Sequence, residues 1–89
     1  MKPRITINMA DGELELWLNE AGRDLLVEQL KGLSARSDHL HLWTWGEGDL
    51  PLSDRLYRST DKIVDTAKIM LRLDDWDREY FPHVMDAEG

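Results

Sequence analysis

The pattern of apolar and polar positions predicts a β-hairpin at the start of the chain. Apolar residues alternate with polar ones over residues 4–9 and again over residues 13–18. Asp11-Gly12 lies between the two runs and supplies the positive φ angles that tight hairpin turns need. Strand side chains point alternately to opposite faces, so one face of the hairpin should form core. The residues expected on that face are Ile5, Ile7, Met9, Leu14, Leu16 and Leu18.

The spacing of apolar residues then changes to that of a helix. Leu26, Leu30 and Leu33 fall on one helical stripe. Asn19 is suited to be the N-cap, because its side chain can accept hydrogen bonds from the exposed amides of the first turn. Gly32 is typical of a helix C-terminus, so the helix should begin after Asn19 and end around residues 31–33.

Two more strands are predicted, over residues 39–45 and 65–73. The order of elements is therefore strand, strand, helix, strand, strand. This order predicts an α+β fold with two layers, in which one helix packs on one face of a four-stranded, mainly antiparallel sheet.

The length of 89 residues predicts a single small domain. Residues 46–61 form a polar stretch that is too long for a simple hairpin turn, and we expect a long loop with a functional role. Residues 74–89 form an acidic and aromatic C-terminal tail. The tail is expected to be either a short helix folded back on the sheet or a mobile arm.

The strand over residues 39–45 has two chemically different faces. Leu40, Leu42 and Thr44 point one way and should join the core. The opposite face carries two imidazoles and two indoles, those of His39, His41, Trp43 and Trp45. Trp17, from the hairpin, is expected on the same side of the sheet. Such a face indicates a metal site, a binding surface or a second layer of core.

Charge and composition narrow the classes of partner. The chain has 11 basic and 18 acidic residues, a net charge of −7, so it should repel nucleic acids and anionic lipids and attract basic proteins. There is no cysteine, which excludes disulfides and thiolate chemistry and suggests a cytoplasmic location. We see no signal peptide and no apolar run long enough to span a bilayer, so no membrane association is expected.

Two kinds of site chemistry are alternatives to plain binding on this face. His39 and His41 would lie roughly 6.5–7 Å apart along one face of a strand. This spacing can bind a divalent metal if His83 or Asp65 supplies a third ligand. Alternatively, His41 with a carboxylate such as Glu47 could transfer protons, but a nuclease would need a basic phosphate-binding surface. We therefore expect no metal, no cofactor and no enzymatic activity.

Three segments carry a resemblance to a known family. They are LWLNEAGRDLLVEQLKGLS, DHLHLWTWGEGDL and the late strand AKIMLRL. Together they resemble the small immunity proteins of bacterial polymorphic toxin systems, in particular immunity protein family 32, over about residues 13–73. The resemblance implies a cytoplasmic protein that binds and neutralises a toxin domain.

These observations lead to the hypothesis of a non-enzymatic immunity protein with a basic toxin domain as partner. Aromatic side chains would anchor the interface and acidic ones would steer the partner. The proposed partner-binding residues are Trp17, His41, Trp43, Trp45, Glu47, Asp49, Asp74, Asp75 and Asp77. One alternative is a homodimeric structural or regulatory module that buries the face of Trp17 and Trp43. Another is a metal-binding protein that uses His39 and His41.

Overall fold

The structure is a computed structural model that describes residues 2–44 and 50–85, which form six strands, two α-helices and a short 3-10 helix. The elements are β1 Ile5–Ala10, β2 Glu13–Leu18, α1 Glu20–Lys31, β3 His39–Trp43, β4 Leu50–Pro51, β5 Lys62–Ile63, β6 Thr66–Met70, α2 Asp74–Tyr80 and the 3-10 helix Pro82–Val84. In the described part of the chain, neither helix has the length and apolar composition needed to cross a bilayer.

The strands form two three-stranded sheets, with the orders β2-β1-β5 and β4-β3-β6. β1 is antiparallel to both of its neighbours, whereas β3 is antiparallel to β6 and parallel to β4. The protein is thus a small α+β fold, as predicted, but the single four-stranded sheet with one helix is not what forms. β4 and β5 have two residues each, which is too short for an alternating pattern to reveal.

Two chain segments connect the sheets. The Leu52 N–H donates to the Trp43 carbonyl at 2.9 Å, and the next N–H, that of Ser53, donates to the Ile5 carbonyl at 2.7 Å. Residues 62–70 likewise pair first with β1 and then with β3. The segment predicted as one long loop over residues 46–61 therefore contains β4 and takes part in sheet pairing. Residues 46–49 of that segment lie outside the described residues.

The predicted hairpin and the first helix are confirmed. Asp11 and Gly12 have φ angles of 51° and 81°, as the turn requires. The Asn19 Oδ1 atom accepts from the Gly22 N–H at 2.7 Å, and α1 ends at Lys31 with Gly32 as its C-cap. Local signals of turn and cap were enough to place these elements.

The core lies between α1 and the inner faces of the strands. Its buried side chains are Ile5, Ile7, Leu26, Leu40, Leu42, Leu50 and Leu52. The expectation that the apolar residues of β2 are inward is wrong, since Leu14 is 64 % exposed and Leu16 is 51 % exposed; Leu18 is exposed as well. β2 is the edge strand of its sheet, whereas Ile5 and Ile7 of the neighbouring β1 share the core with Leu26 of α1.

Candidate functional site

Three aromatic side chains lie in a row on one face of β3, and we refer to them as the ring row: His39, His41 and Trp43. The ring centroids are 5.0 Å apart between the two histidines and 5.3 Å apart between His41 and Trp43. Strand alternation places these rings on the face opposite Leu40 and Leu42, which fill the core. The predicted two-faced strand is confirmed over residues 39–43.

The face of the ring row is accessible to solvent. His41 and Trp43 are half-buried, while His39 is exposed. The register with β6 places Lys68 opposite His41 and Met70 opposite His39, and both of these side chains are exposed. The face therefore presents half-buried rings with exposed neighbours, an arrangement typical of surfaces that bind proteins.

One end of the ring row carries a fixed negative charge. The Asp38 carboxylate lies 2.8 Å from Nδ1 of His39. This hydrogen bond is the main reason why the pKa of Asp38 lies below its usual value. The carboxylate consequently stays ionised at neutral pH and orients the first ring of the row.

The predicted acidic residues of the tail lie in α2. Asp77 pairs with Arg72 at 2.8 Å and is mostly shielded from solvent, with 14 % of its side chain exposed. Asp75 pairs with Arg78, but its side chain is 91 % exposed, so this pair is screened and weak. Asp74 is exposed and makes no ion pair with any residue that the structure describes. Asp74 and Asp75 are thus accessible for long-range attraction of a basic partner.

Residues 74–80 of the predicted tail form a short helix, α2, but its main packing is not against the sheet. None of its residues is buried, and its main packing is against the 3-10 helix that follows it. The Arg72 guanidinium lies over two rings of this region, 5.5 Å from the centroid of Trp76 and 5.2 Å from that of Phe81. These contacts stabilise α2 locally.

Trp17 does not share the sheet of the ring row. It belongs to β2, and its indole stacks on the ring of Tyr57 with a centroid distance of 4.4 Å. The Arg58 guanidinium lies 5.3 Å from the same indole. The expectation that Trp17 and Trp43 form one uncovered face is wrong, because residues that follow β4 cover Trp17. Three other predicted site residues, Trp45, Glu47 and Asp49, lie outside the described residues.

A buried polar cluster lies on the same side of that sheet, and sequence reasoning missed it. Asn8 is fully buried, and its Nδ2 donates to Glu15 and to Asp61, each at 3.0 Å. Arg58 donates to the same two carboxylates. The hydrogen bond to Asp61 is the main cause that raises the pKa of Arg58. The cluster holds residues 58–61 against the hairpin.

We expect the purified protein to contain no stoichiometric zinc or nickel. Within residues 2–44 and 50–85, no group of three His, Cys, Asp or Glu side chains is placed to hold a metal ion. Two imidazoles alone supply only half of a tetrahedral site. Elemental analysis after gel filtration and a melting curve with and without chelator measure this. A metal-to-protein ratio near one, with a lower melting temperature in chelator, would contradict it.

No protein family, curated protein or solved structure matches the chain. The geometry of the ring row, the charge of the chain and the resemblance noted from the sequence are therefore the basis for a functional proposal.

Proposed function

We propose that this protein is a non-enzymatic immunity-type protein that binds and neutralises a toxin domain in the bacterial cytoplasm. The partner would contact the face of the β4-β3-β6 sheet that carries the ring row. The observation that supports this most strongly is the division of β3 itself, in which leucines fill the core on one face while rings line a solvent-accessible face on the other.

The chemistry of that face suits a protein partner. Aromatic rings bury large areas at a low cost in conformational entropy, and they dominate the energetics of many interfaces. Trp43 ends the row and is only half-buried. A partner that covers the row would therefore bury further indole surface without first unfolding any element of this protein.

The charge of the chain favours a basic partner. The net charge is −7, and the accessible carboxylates of Asp74 and Asp75 add to the field near α2. Exposed charges are screened by salt and act mainly on the rate of association. The choice of a toxin as the partner rests on the resemblance of residues 13–73 to immunity proteins.

Replacing Trp43 by alanine tests the proposal. We expect the variant to dissociate about thirtyfold faster from its toxin, because truncating an interface anchor costs about 2 kcal/mol and such losses act mostly on dissociation. The measurement is surface plasmon resonance against the toxin domain encoded beside this gene, together with survival of cells that produce the toxin.

A matched control removes exposed apolar surface elsewhere. Val27 lies on α1 and is 44 % exposed, so Val27→Ala should leave dissociation unchanged. Equal effects of the two substitutions would exclude the ring row as the contact. A neighbouring protein that neither binds this chain nor harms cells would contradict the immunity function itself.

A further inference from the structure

A cavity of about 470 Å³ lies where the residues before β1 pass the end of β4. Its apolar lining includes the exposed Pro3 and Pro51, together with Ile5 and Leu52, which are buried in the core. The Ser53 N–H donates to the Ile5 carbonyl at 2.7 Å, which fixes the two walls to each other. A volume of this size is within the range of small-molecule sites.

Three cations line this cavity, and no carboxylate of the described residues does: the cations are Lys2, Arg4 and Arg55. All 11 basic residues of the chain lie in the described ranges. Four of them, Arg23, Arg58, Arg72 and Arg78, form ion pairs with described carboxylates. Three of the other seven therefore converge on one cavity, in a protein with a net charge of −7.

The cations are placed differently around the rim. The Arg4 Nε donates to the Tyr57 hydroxyl at 3.1 Å, so the guanidinium is held while its terminal N–H groups make no bond to the described residues. The Arg55 and Lys2 side chains make no hydrogen bond or ion pair within the same part of the chain. The Arg4 guanidinium is fixed in position, whereas the Arg55 and Lys2 side chains can change rotamer. This combination suits the binding of an anion that enters from solvent.

We propose that this cavity binds a small organic anion, with a carboxylate or phosphate group among the three cations and an apolar body against Pro3 and Pro51. The site lies on β1 and the segment after β4, and it does not include the ring row. It is therefore independent of the toxin-binding function proposed above.

Titration of the isotope-labelled protein with four probes tests this, with backbone amide shifts as the readout. Phenyl phosphate and benzoate each combine an anion with an apolar body, benzyl alcohol lacks the charge, and inorganic phosphate lacks the apolar body. We expect saturable shifts at Ile5 and Ser53 with the first two probes and much weaker ones with the others. The tighter of phenyl phosphate and benzoate identifies the anionic group.

Two variants complete the test. Arg55→Gln should bind the preferred probe about tenfold more weakly, because a hydrogen bond to a charged group is lost. Arg36→Gln changes an exposed arginine outside the cavity and should bind as the unchanged protein does. Equal affinities of the two variants, or equal binding of benzyl alcohol, would overturn the proposal. The amide spectrum of each variant shows directly that it is folded.

Discussion

Gly22→Ala is expected to destabilise the protein by about 3 kcal/mol. Gly22 is buried in the first turn of α1, where the helix lies against the chain just before β1. A Cβ atom there would overlap the Arg4 carbonyl oxygen and lie 3.0 Å from both the Arg4 carbonyl carbon and the Asn19 Oδ1. The Asn19 N–H and that carbonyl are hydrogen-bonded at 3.1 Å, so the helix and the strand cannot separate without losing the bond.

The size of the destabilisation depends on whether side chains or backbone must move to make room for the added Cβ atom. Overpacking against side chains usually costs about 1–3 kcal/mol, and a clash with backbone should cost about 4, because backbone has no rotamer to change. Alanine regains at most about 1 kcal/mol over glycine through its helix propensity. Urea denaturation followed by far-UV circular dichroism measures the remaining difference.

Gly32→Ala is the matched control for this prediction. Gly32 caps the same helix with a negative φ, and the nearest described atom to a Cβ there, the Gln29 carbonyl oxygen, would be 3.4 Å away. We expect a change within about 1 kcal/mol for this variant. If the two alanine variants were equally stable, the close approach of α1 to β1 would not be tight in solution.

The parts of the fold that the sequence predicts are those specified by neighbouring residues. The Asp11-Gly12 turn and the Asn19 cap depend on backbone geometry within a few residues, and both are found where expected. The ring row follows in the same way, since alternation along β3 fixes which side chains share a face.

The missed features depend on contacts between distant parts of the chain. Leu14 and Leu16 alternate as core residues do, but β2 is the edge strand of its sheet and both side chains are largely exposed. Asn8 lies at a polar position of the alternating pattern, where a solvent-exposed side chain is expected. It is buried instead, because Asp61, 53 positions away in sequence, packs against it and accepts a hydrogen bond from it. Tyr57 covers Trp17 from a similar distance in sequence. No local pattern distinguishes these residues from ordinary edge, surface or loop positions.

Asn8→Asp is expected to have the largest effect on stability, about 4 kcal/mol at neutral pH. The substitution keeps the shape of the side chain and changes its charge and its donors. Nδ2 of Asn8 donates to two carboxylates, so its replacement by oxygen would bring three carboxylates together in a buried place. Oδ1 of Asn8 accepts no hydrogen bond within the described part of the chain, so no described donor would stabilise the added negative charge at this atom.

The Asn8→Asp effect should depend on pH in a defined direction. Burial and two neighbouring carboxylates outweigh the attraction of Arg58, which pairs with both of those carboxylates, and raise the pKa of the introduced carboxyl above its unfolded value of about 3.9. A group whose pKa is raised on folding favours the folded state below the unfolded pKa and opposes it as pH rises through the folded pKa. The stability gap to the unchanged protein should therefore be small near pH 4 and widen towards about pH 8.

Asn19→Asp makes the same chemical change at an exposed hydrogen bond: it removes the donation from Nδ2 to the Lys2 carbonyl, and the helix dipole offsets that loss by stabilising the new carboxylate. Asn19 is the N-cap of α1, where aspartate caps as well as asparagine does and a carboxylate is stabilised by the helix dipole. Its stability should stay within about 1 kcal/mol of the unchanged protein across this pH range. Urea denaturation of all three proteins at about pH 4 and about pH 8 gives the comparison. A gap for Asn8→Asp that does not widen with pH, or that matches the gap of Asn19→Asp, would mean that Asn8 is not enclosed by Glu15 and Asp61 in solution.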